Sequence, residues 1–387
     1  MFHVDLAPFG VDMKRLTKDR LVRLQAAMRR ENLGALLLTD FLNVRYATNT
    51  VMMIGLRATG IQRFALVPAE GEPLICQREL SRQSHYRSLR FDAYMFAMRP
   101  PIATEDFVNQ AVMGIKQLGA AGERVGVDCL NLAAVYGLKD AGIELIDGWP
   151  AINQARAVKT VDELQLIRWT TRAKEHGYDL VRQELRRADP PEDKLSRVML
   201  DYLMDQGFEA GSEFISIYDS STAETRPHNE PMGADLVVKE GDLVICDATV
   251  AGPGGYYSDF ARTFSRGTPT AATKQRYREA YRSLTEAMKF VKPGPCTEAF
   301  RRFGKGASAG MRLPGFDGYH GVGLCVYEPP WLRGGDPEKY MISLEENMIV
   351  ALEINHYPVK LEHLLRVTAD GAEILSQYPV DPELVPA

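Results

Sequence analysis

Five side chains in the second half of this chain are of the types that hold metal ions: Asp247, Asp259, His320, Glu353 and Glu362. Asp247 closes the apolar run Leu243-Val244-Ile245-Cys246, and Asp259 sits in Tyr257-Ser258-Asp259-Phe260-Ala261-Arg262-Thr263. His320 lies in Gly318-Tyr319-His320-Gly321-Val322-Gly323, Glu353 follows Ile349-Val350-Ala351-Leu352, and Glu362 ends Val359-Lys360-Leu361-Glu362. Four carboxylates and one imidazole can seat one or two divalent cations and leave positions for water. Such ions acidify water and polarise a bond under attack, which is the chemistry of hydrolysis. An oxygen-rich set with one nitrogen suits manganese, iron, cobalt or zinc. Taken singly, each residue reads as a solvated carboxylate or a turn histidine. Taken together, four of the five end or interrupt strand-like stretches, where a carboxylate is costly to bury without a cation. Gly321 and Gly323 remove side chains beside His320, which suits close approach of a ligand.

The elements that must position these groups are legible in outline. At 387 residues the chain exceeds what one core usually serves, so two domains are expected. The first reads as alternating helix and strand: a helix from Leu16 to Glu31, strands at Gly34–Asp40, Arg63–Val67, Glu72–Cys76 and Arg124–Asp128, and a helix near Glu105–Leu118. This is an α/β domain on a mixed or parallel sheet, assigned to residues 1–155. Thr160-Val161-Asp162-Glu163 is a capping box and opens a helix to about Arg187, the start of a second domain spanning 156–387. Strands at Phe214–Tyr218, Asp242–Cys246, Met348–Glu353 and Leu365–Thr368, and a helix at Lys274–Val291, follow. Ligands carried on strands would be held rigidly.

Charge and cysteine usage narrow the function classes. The formal net charge of −5 offers no basic surface for nucleic acid or for an anionic membrane. No apolar stretch reaches the ~20 residues that span a bilayer, and no secretory signal is visible. Five scattered cysteines without a CxxC pair argue against a disulfide framework and fit a reducing cytoplasm. Cys246 and Cys325 neighbour the proposed site as either thiol nucleophiles or small buried fillers, the latter being the commoner use.

The residues and their order resemble the creatinase, prolidase and aminopeptidase P family, whose fold is called pita-bread. The resemblance covers nearly the whole chain. Arg156-Ala157-Val158-Lys159 with Glu163 resembles the family's entry into its catalytic domain, and Pro227-His228-Asn229-Glu230-Pro231 resembles the segment carrying a substrate-facing histidine. The two aspartate strands, His320-Gly321-Val322-Gly323 and Glu328-Pro329-Pro330 complete the pattern. Asn43-Val44-Arg45-Tyr46-Ala47-Thr48, Tyr378-Pro379-Val380-Asp381-Pro382 and the step from Asp247 to Asp259 are similar to the branch of dimethylsulfoniopropionate lyases. The resemblance implies an N-terminal creatinase-like α/β domain and a C-terminal pita-bread domain with a curved antiparallel sheet. It implies that Glu353 is a proton shuttle as well as a ligand. It also implies that His228 orients the substrate or donates a proton; the plainer reading of His228 is a loop residue.

Two departures stand out. Where the peptidases carry a second histidine this chain has Tyr327, and where the lyases carry a basic aspartate it has Val326. Tyr327 is therefore either a hydrogen-bond donor or an aromatic wall. Glu328 is a further candidate base. Arg45 and Arg57 are candidates for gripping a substrate carboxylate, or else surface arginines, and Arg262 and Arg366 are candidates for neutralising the carboxylates from behind. The resemblance also implies a homodimer in which a first-domain loop nears the partner's active site. Three readings remain: a metal-dependent hydrolase of a small amide or other C–N compound, a metal-dependent lyase, and a metal-free amidinohydrolase or binding protein. The first is preferred because water activation needs only the ions and one carboxylate.

Overall fold

The computed structural model describes residues 6–51, 63–77, 86–90, 100–187, 190–212, 215–219, 224–225, 237–295, 315–333 and 343–380. The backbone separates into two units, Met1–His3 with Asp12–Arg156, and Val4–Val11 with Ala157–Ala387. The boundary thus falls after Arg156, and the described residues Leu6–Val11 go with the second unit, not with the first as their position in the chain suggests.

Six strands build the first unit's sheet: β1 (Ala35–Leu38), β2 (Arg63–Pro68), β3 (Leu74–Gln77), β4 (Ser88–Arg90), β5 (Arg124–Val127) and β6 (Glu144–Asp147), in the order β4-β3-β2-β1-β5-β6. The sheet is mixed, since β1 runs antiparallel to β2 and parallel to β5. All four residues of β1 are buried, as a strand covered on both faces must be. Helices α1 (Met13–Arg30), α2 (Phe41–Thr48), α3 (Pro100–Gln117), α4 (Leu132–Asp140) and α5 (Trp149–Ala157) accompany it. Asp12, Asp40 and Asn131 cap three of them by accepting backbone N–H groups that the first turn leaves unpaired.

The second unit opens with α6 (Val161–Leu185). The capping box closes as its sequence predicts: Thr160 Oγ1 accepts from Glu163 N, and Glu163 Oε2 accepts from Thr160 N at 2.7 Å. After α7 (Glu192–Asp205) come β7 (Ala210–Ser212), β8 (Ile215–Asp219), β9 (Glu224–Thr225), β10 (Leu243–Cys246), β11 (Thr249–Ala251), β12 (Tyr257–Ser258) and β13 (Arg262–Ser265). Then follow α8 (Ala271–Met288), β14 (Gly294–Pro295), β15 (Phe316–Gly321), β16 (Glu328–Arg333), β17 (Ser343–Leu344), β18 (Ile349–His356), β19 (Val359–Val367) and β20 (Ala372–Ile374). Two sheets matter for the site, β13-β10-β8-β9 and β16-β15-β18-β19-β20, both antiparallel throughout.

The apolar pattern predicts a short strand at Leu365–Thr368, whereas β19 runs unbroken from Val359 and carries Glu362 within it. One face of α8 buries Tyr277, Ala280, Leu284 and Ala287 against Val350, Leu352, Leu361 and Leu365 of β18 and β19. That apolar layer supports one side of the strands, so the polar residues of β18 and β19 that point the other way are held in register.

Candidate metal centre

Strand pairing alone brings two carboxylates face to face. Glu353 of β18 and Glu362 of β19 are direct cross-strand partners. Like charges at that position are destabilising unless something positive lies between them. His320 enters from β15 on the other side of β18, opposite Ala351 and two residues along from Gly318, the partner of Glu353. The aspartates arrive from the second sheet. Glu362 N donates to Ala261 O at 3.1 Å, and Thr263 Oγ1 donates to Lys360 O while accepting from Lys360 N. These bonds dock the Asp259–Thr263 segment onto β19.

The result is a cluster with almost no solvent access. Asp247 is 9% exposed, and Asp259, His320, Glu353 and Glu362 are each at 4% or below. One ligand atom from each of Asp259, His320 and Glu362 lies within 4.8 Å of the others. His320 Nε2 is 3.2 Å from Glu353 Oε1 and 3.6 Å from Asp259 Oδ2. Its Nδ1 lies 3.2 Å from Gly321 O, so a neutral ring carries its proton there and turns the Nε2 lone pair toward the carboxylates. In that tautomer Nε2 has no hydrogen to give them. His320 Nε2 and both Glu362 oxygens are indeed buried without a hydrogen-bond partner. Orphaned acceptors converging in this way are what a cation would satisfy, so the donor set fits a divalent ion.

The electrostatics agree. Burial raises the Asp259 carboxyl, and neighbouring Asp247 raises it further. Glu362 is pushed well above the usual carboxylate range by burial and by Asp259. Burial alone would lower the His320 pKa, yet Glu353 and Asp259 beside the ring leave it raised. Each shift is a response to excess negative charge in a dry place.

Two lysines answer part of that charge, and the sequence reading missed both. Lys360 Nζ donates to Asp247 Oδ2 in a charge-assisted bond and lies 3.6 Å from both Glu353 Oε2 and Glu362 Oε2. Burial would lower its pKa, but the surrounding carboxylates hold it well above the usual lysine range. A signal was available: Lys360 stands two residues before Glu362, so on a strand both share one face. Lys174 of α6 is fully buried, donates to Phe260 O at 2.8 Å and lies 4.2 Å over the Phe260 ring. Burial brings its pKa down to about 8. Tyr178, one turn along α6, holds the aspartate backbones together: its hydroxyl is 3.0 Å from Cys246 O and 2.8 Å from Phe260 O, and it accepts from Ala248 N.

Several sequence readings are corrected here. Gly321 and Gly323 make room for protein, not for a ligand. A Cβ on Gly321 would come within 2.3 Å of Pro329 O, and one on Gly323 within 2.0 Å of Glu328 Oε1. Glu328 accepts from Lys159 Nζ at 2.7 Å in a buried ion pair, which removes it as a base. Arg366 pairs with Glu373 and Asn347, so it does not neutralise the cluster. Arg262 does reach it, but through the backbone, donating to Glu362 O at 2.6 Å and to Tyr378 O. Cys246 is buried and its thiol is pushed far up by burial, as suits a filler.

Tyr327 stands 45% exposed with its ring 4.4 Å from that of His320, stacked on Trp331 at 5.8 Å and 16°. Arg45 lies on α2 of the first unit at 5% exposure. His228 and Arg57 lie outside the described residues.

The fold and the metal-ready cluster define a class. The metallopeptidase family M24 model matches residues 165–369, and the creatinase/prolidase N-terminal domain model matches residues 20–158. The chain belongs to the M24 family and has its pita-bread fold with a creatinase-like N-terminal domain. Among its relatives, it is 26% identical to dimethylsulfoniopropionate lyase DddP of Roseovarius nubinhibens over 97% of this chain and 88% of the relative. It is 27% identical to the putative dipeptidase YkvY of Bacillus subtilis over 66% of this chain and 70% of the relative. In structure it is similar to an Xaa-Pro dipeptidase from Bacillus anthracis, with a TM-score of 0.71 at 20% identity, covering 94% of this chain and 99% of that one. No helix among the described residues is long and apolar enough to cross a membrane.

Proposed function

We propose that this protein is a metal-dependent hydrolase acting on an amide or related C–N bond of a small substrate. The observation that carries the reading is the convergence of Asp259, His320 and Glu362, with buried acceptor atoms that no protein donor satisfies. Asp247, Asp259, His320, Glu353 and Glu362 would hold one or two ions of manganese, iron, cobalt or zinc. When bound, such an ion supplies acidified water and polarises the bond under attack.

The chain's own groups have distinct tasks. Glu353 takes up the proton lost by water, its Oε2 being steadied by Asn355 Nδ2 at 3.3 Å. Tyr327 and Trp331 form an aromatic wall beside His320, against which a substrate is held. His228 orients the substrate or protonates its leaving group. Arg45 and Arg57 remain candidates for a substrate carboxylate, in a homodimer whose first-domain loop nears the partner's site.

A second reading is elimination. It is favoured by the similarity to a dimethylsulfoniopropionate lyase along nearly the whole chain. Against it stands Val326, an alkyl side chain where those lyases place their base. Turnover in labelled water separates the two: solvent oxygen in the product supports hydrolysis, and an alkene without the label supports elimination. Elemental analysis beside Asp259→Ala tests the shared premise. One or two ions per chain, lost in the variant, are expected. Metal absent from both after soaking with all four cations would overturn it and return attention to metal-free chemistry around His228.

A further inference from the structure

We propose that Lys360 is a resident cation of the carboxylate cluster and takes one of its two cation positions, so that the site seats one divalent ion per chain instead of a pair. The inference rests on the metal-dependent reading above and sharpens it. The cluster is divided in two. On one side Asp259, His320 and Glu362 turn acceptor atoms toward a common point. On the other side the Lys360 ammonium bonds Asp247 and lies 3.6 Å from Glu353 and from Glu362. It therefore touches three of the four carboxylates, among them Asp247 and Glu353, the two that lie outside the converging three.

The lysine is built in, not draped over the site. Its backbone N–H and C=O are both bonded to Thr263 Oγ1, at 2.9 and 2.8 Å, which fixes where the side chain leaves β19. Its side chain is only 12% exposed. Charge points the same way. Four carboxylates are balanced by Lys360, by Lys174 behind Phe260 and by one divalent ion. A second ion would leave the buried cluster with two positive charges in excess and would have to compete with the ammonium for Asp247. An ammonium is a compact charge with three donors and can stand where an ion would. In the lyase-like and peptidase-like readings alike, the consequence is one ion for water or substrate and one fixed ammonium for the carboxylates.

The experiment counts ions. Wild type, Lys360→Met and Lys360→Arg are stripped with chelator, checked for fold by circular dichroism, and titrated with manganese by calorimetry and electron paramagnetic resonance. Wild type is expected to bind one ion per chain and to give the spectrum of an isolated ion. Lys360→Met is expected to bind two, with a spin-coupled signal, and Lys360→Arg one. Two ions in the wild type would overturn the proposal while leaving the metal-dependent reading intact. One ion in Lys360→Met would also overturn it, because the lysine would not then be what excludes the second. No ion in any of them would overturn both. Should Lys360→Met fail to fold, the wild-type count decides by itself.

Discussion

Two regions of this molecule draw carboxylates away from solvent, one half-buried and one buried, and they treat them in opposite ways. In the first unit Asp128 accepts from the backbone N–H groups of Thr39, Asp40 and Cys129 and from Asn43 Nδ2, at 2.6 to 3.0 Å. Burial still raises its pKa, but four donors oppose the shift. In the second unit Asp259 and Glu362 are buried more deeply, and the oxygens of Glu362 accept no hydrogen bond, the Lys360 ammonium standing 3.6 Å away. The first arrangement is complete and ties β1, α2 and β5 together. The second is incomplete as protein and is finished only by cations. A satisfied buried carboxylate is a fastening. An unsatisfied cluster is a site in which stability has been traded for ion affinity.

The contrast is sharpest if the two are broken in turn. Asp259→Ala should abolish ion binding and lower turnover by about a thousandfold, the several kcal/mol that an ion contributes to transition-state charge. Kinetics with elemental analysis check this, and near-normal turnover would end the comparison. Asp128→Ala should leave ion content unchanged but destabilise the first unit by about 2 kcal/mol, since it strands backbone donors. Denaturant unfolding reads that cost.

Tyr178→Phe lies between the regions in kind, being a protein fastening that serves the site. It should weaken ion affinity by about 10–100-fold, as loss of an outer support commonly does. Competition with a chelator would show it, and unchanged affinity would mean the aspartates need no clamp.

The pH dependence should separate the regions as well. Glu362 has a folded pKa raised above its ordinary 4.5, so the folded state holds its proton more tightly than the unfolded one. Stability from that group is present below the unfolded value and is lost as pH rises toward the folded one. The metal-stripped wild type should therefore melt below metal-stripped Glu362→Gln at neutral pH, and the gap should close as the solution is acidified from the raised folded value toward the ordinary 4.5. An ion should close the gap from the wild-type side only. The smallest effect is expected of Tyr327→Phe: if the ring is a wall, turnover should change by less than about twofold, because the stacked face is kept. A large loss of turnover would make the hydroxyl a donor.

Much of this was legible without coordinates, because the chemistry lies in residue types and short spacings. The capping box is a local contact within one turn of chain, and it closes as its letters predict. The strand-end positions of Asp247 and Asp259 follow from apolar runs, and both flank strands in the fold. Helix ends moved by a few residues where a cap outside the periodic stretch set the start, as Thr270 does for α8.

Other features were decided only in three dimensions. No spacing states that Glu353 and Glu362 face each other, since register is set by the turn between β18 and β19 and by the apolar layer behind them. Gly321 and Gly323 looked like room for a ligand until β16 and the Glu328 carboxylate filled that room. Arg366 looked like a counter-charge until Glu373, across the β19–β20 pair, claimed it. Lys360 was half legible: strand parity puts it on the face of Glu362, but only the docking of β13 on β19 brings Asp247 within its reach. By itself the sequence determined which groups could carry charge or bind an ion. The tertiary structure decided which charges meet, because electrostatic energy in a dry interior depends on separations of a few ångströms that chain order does not encode.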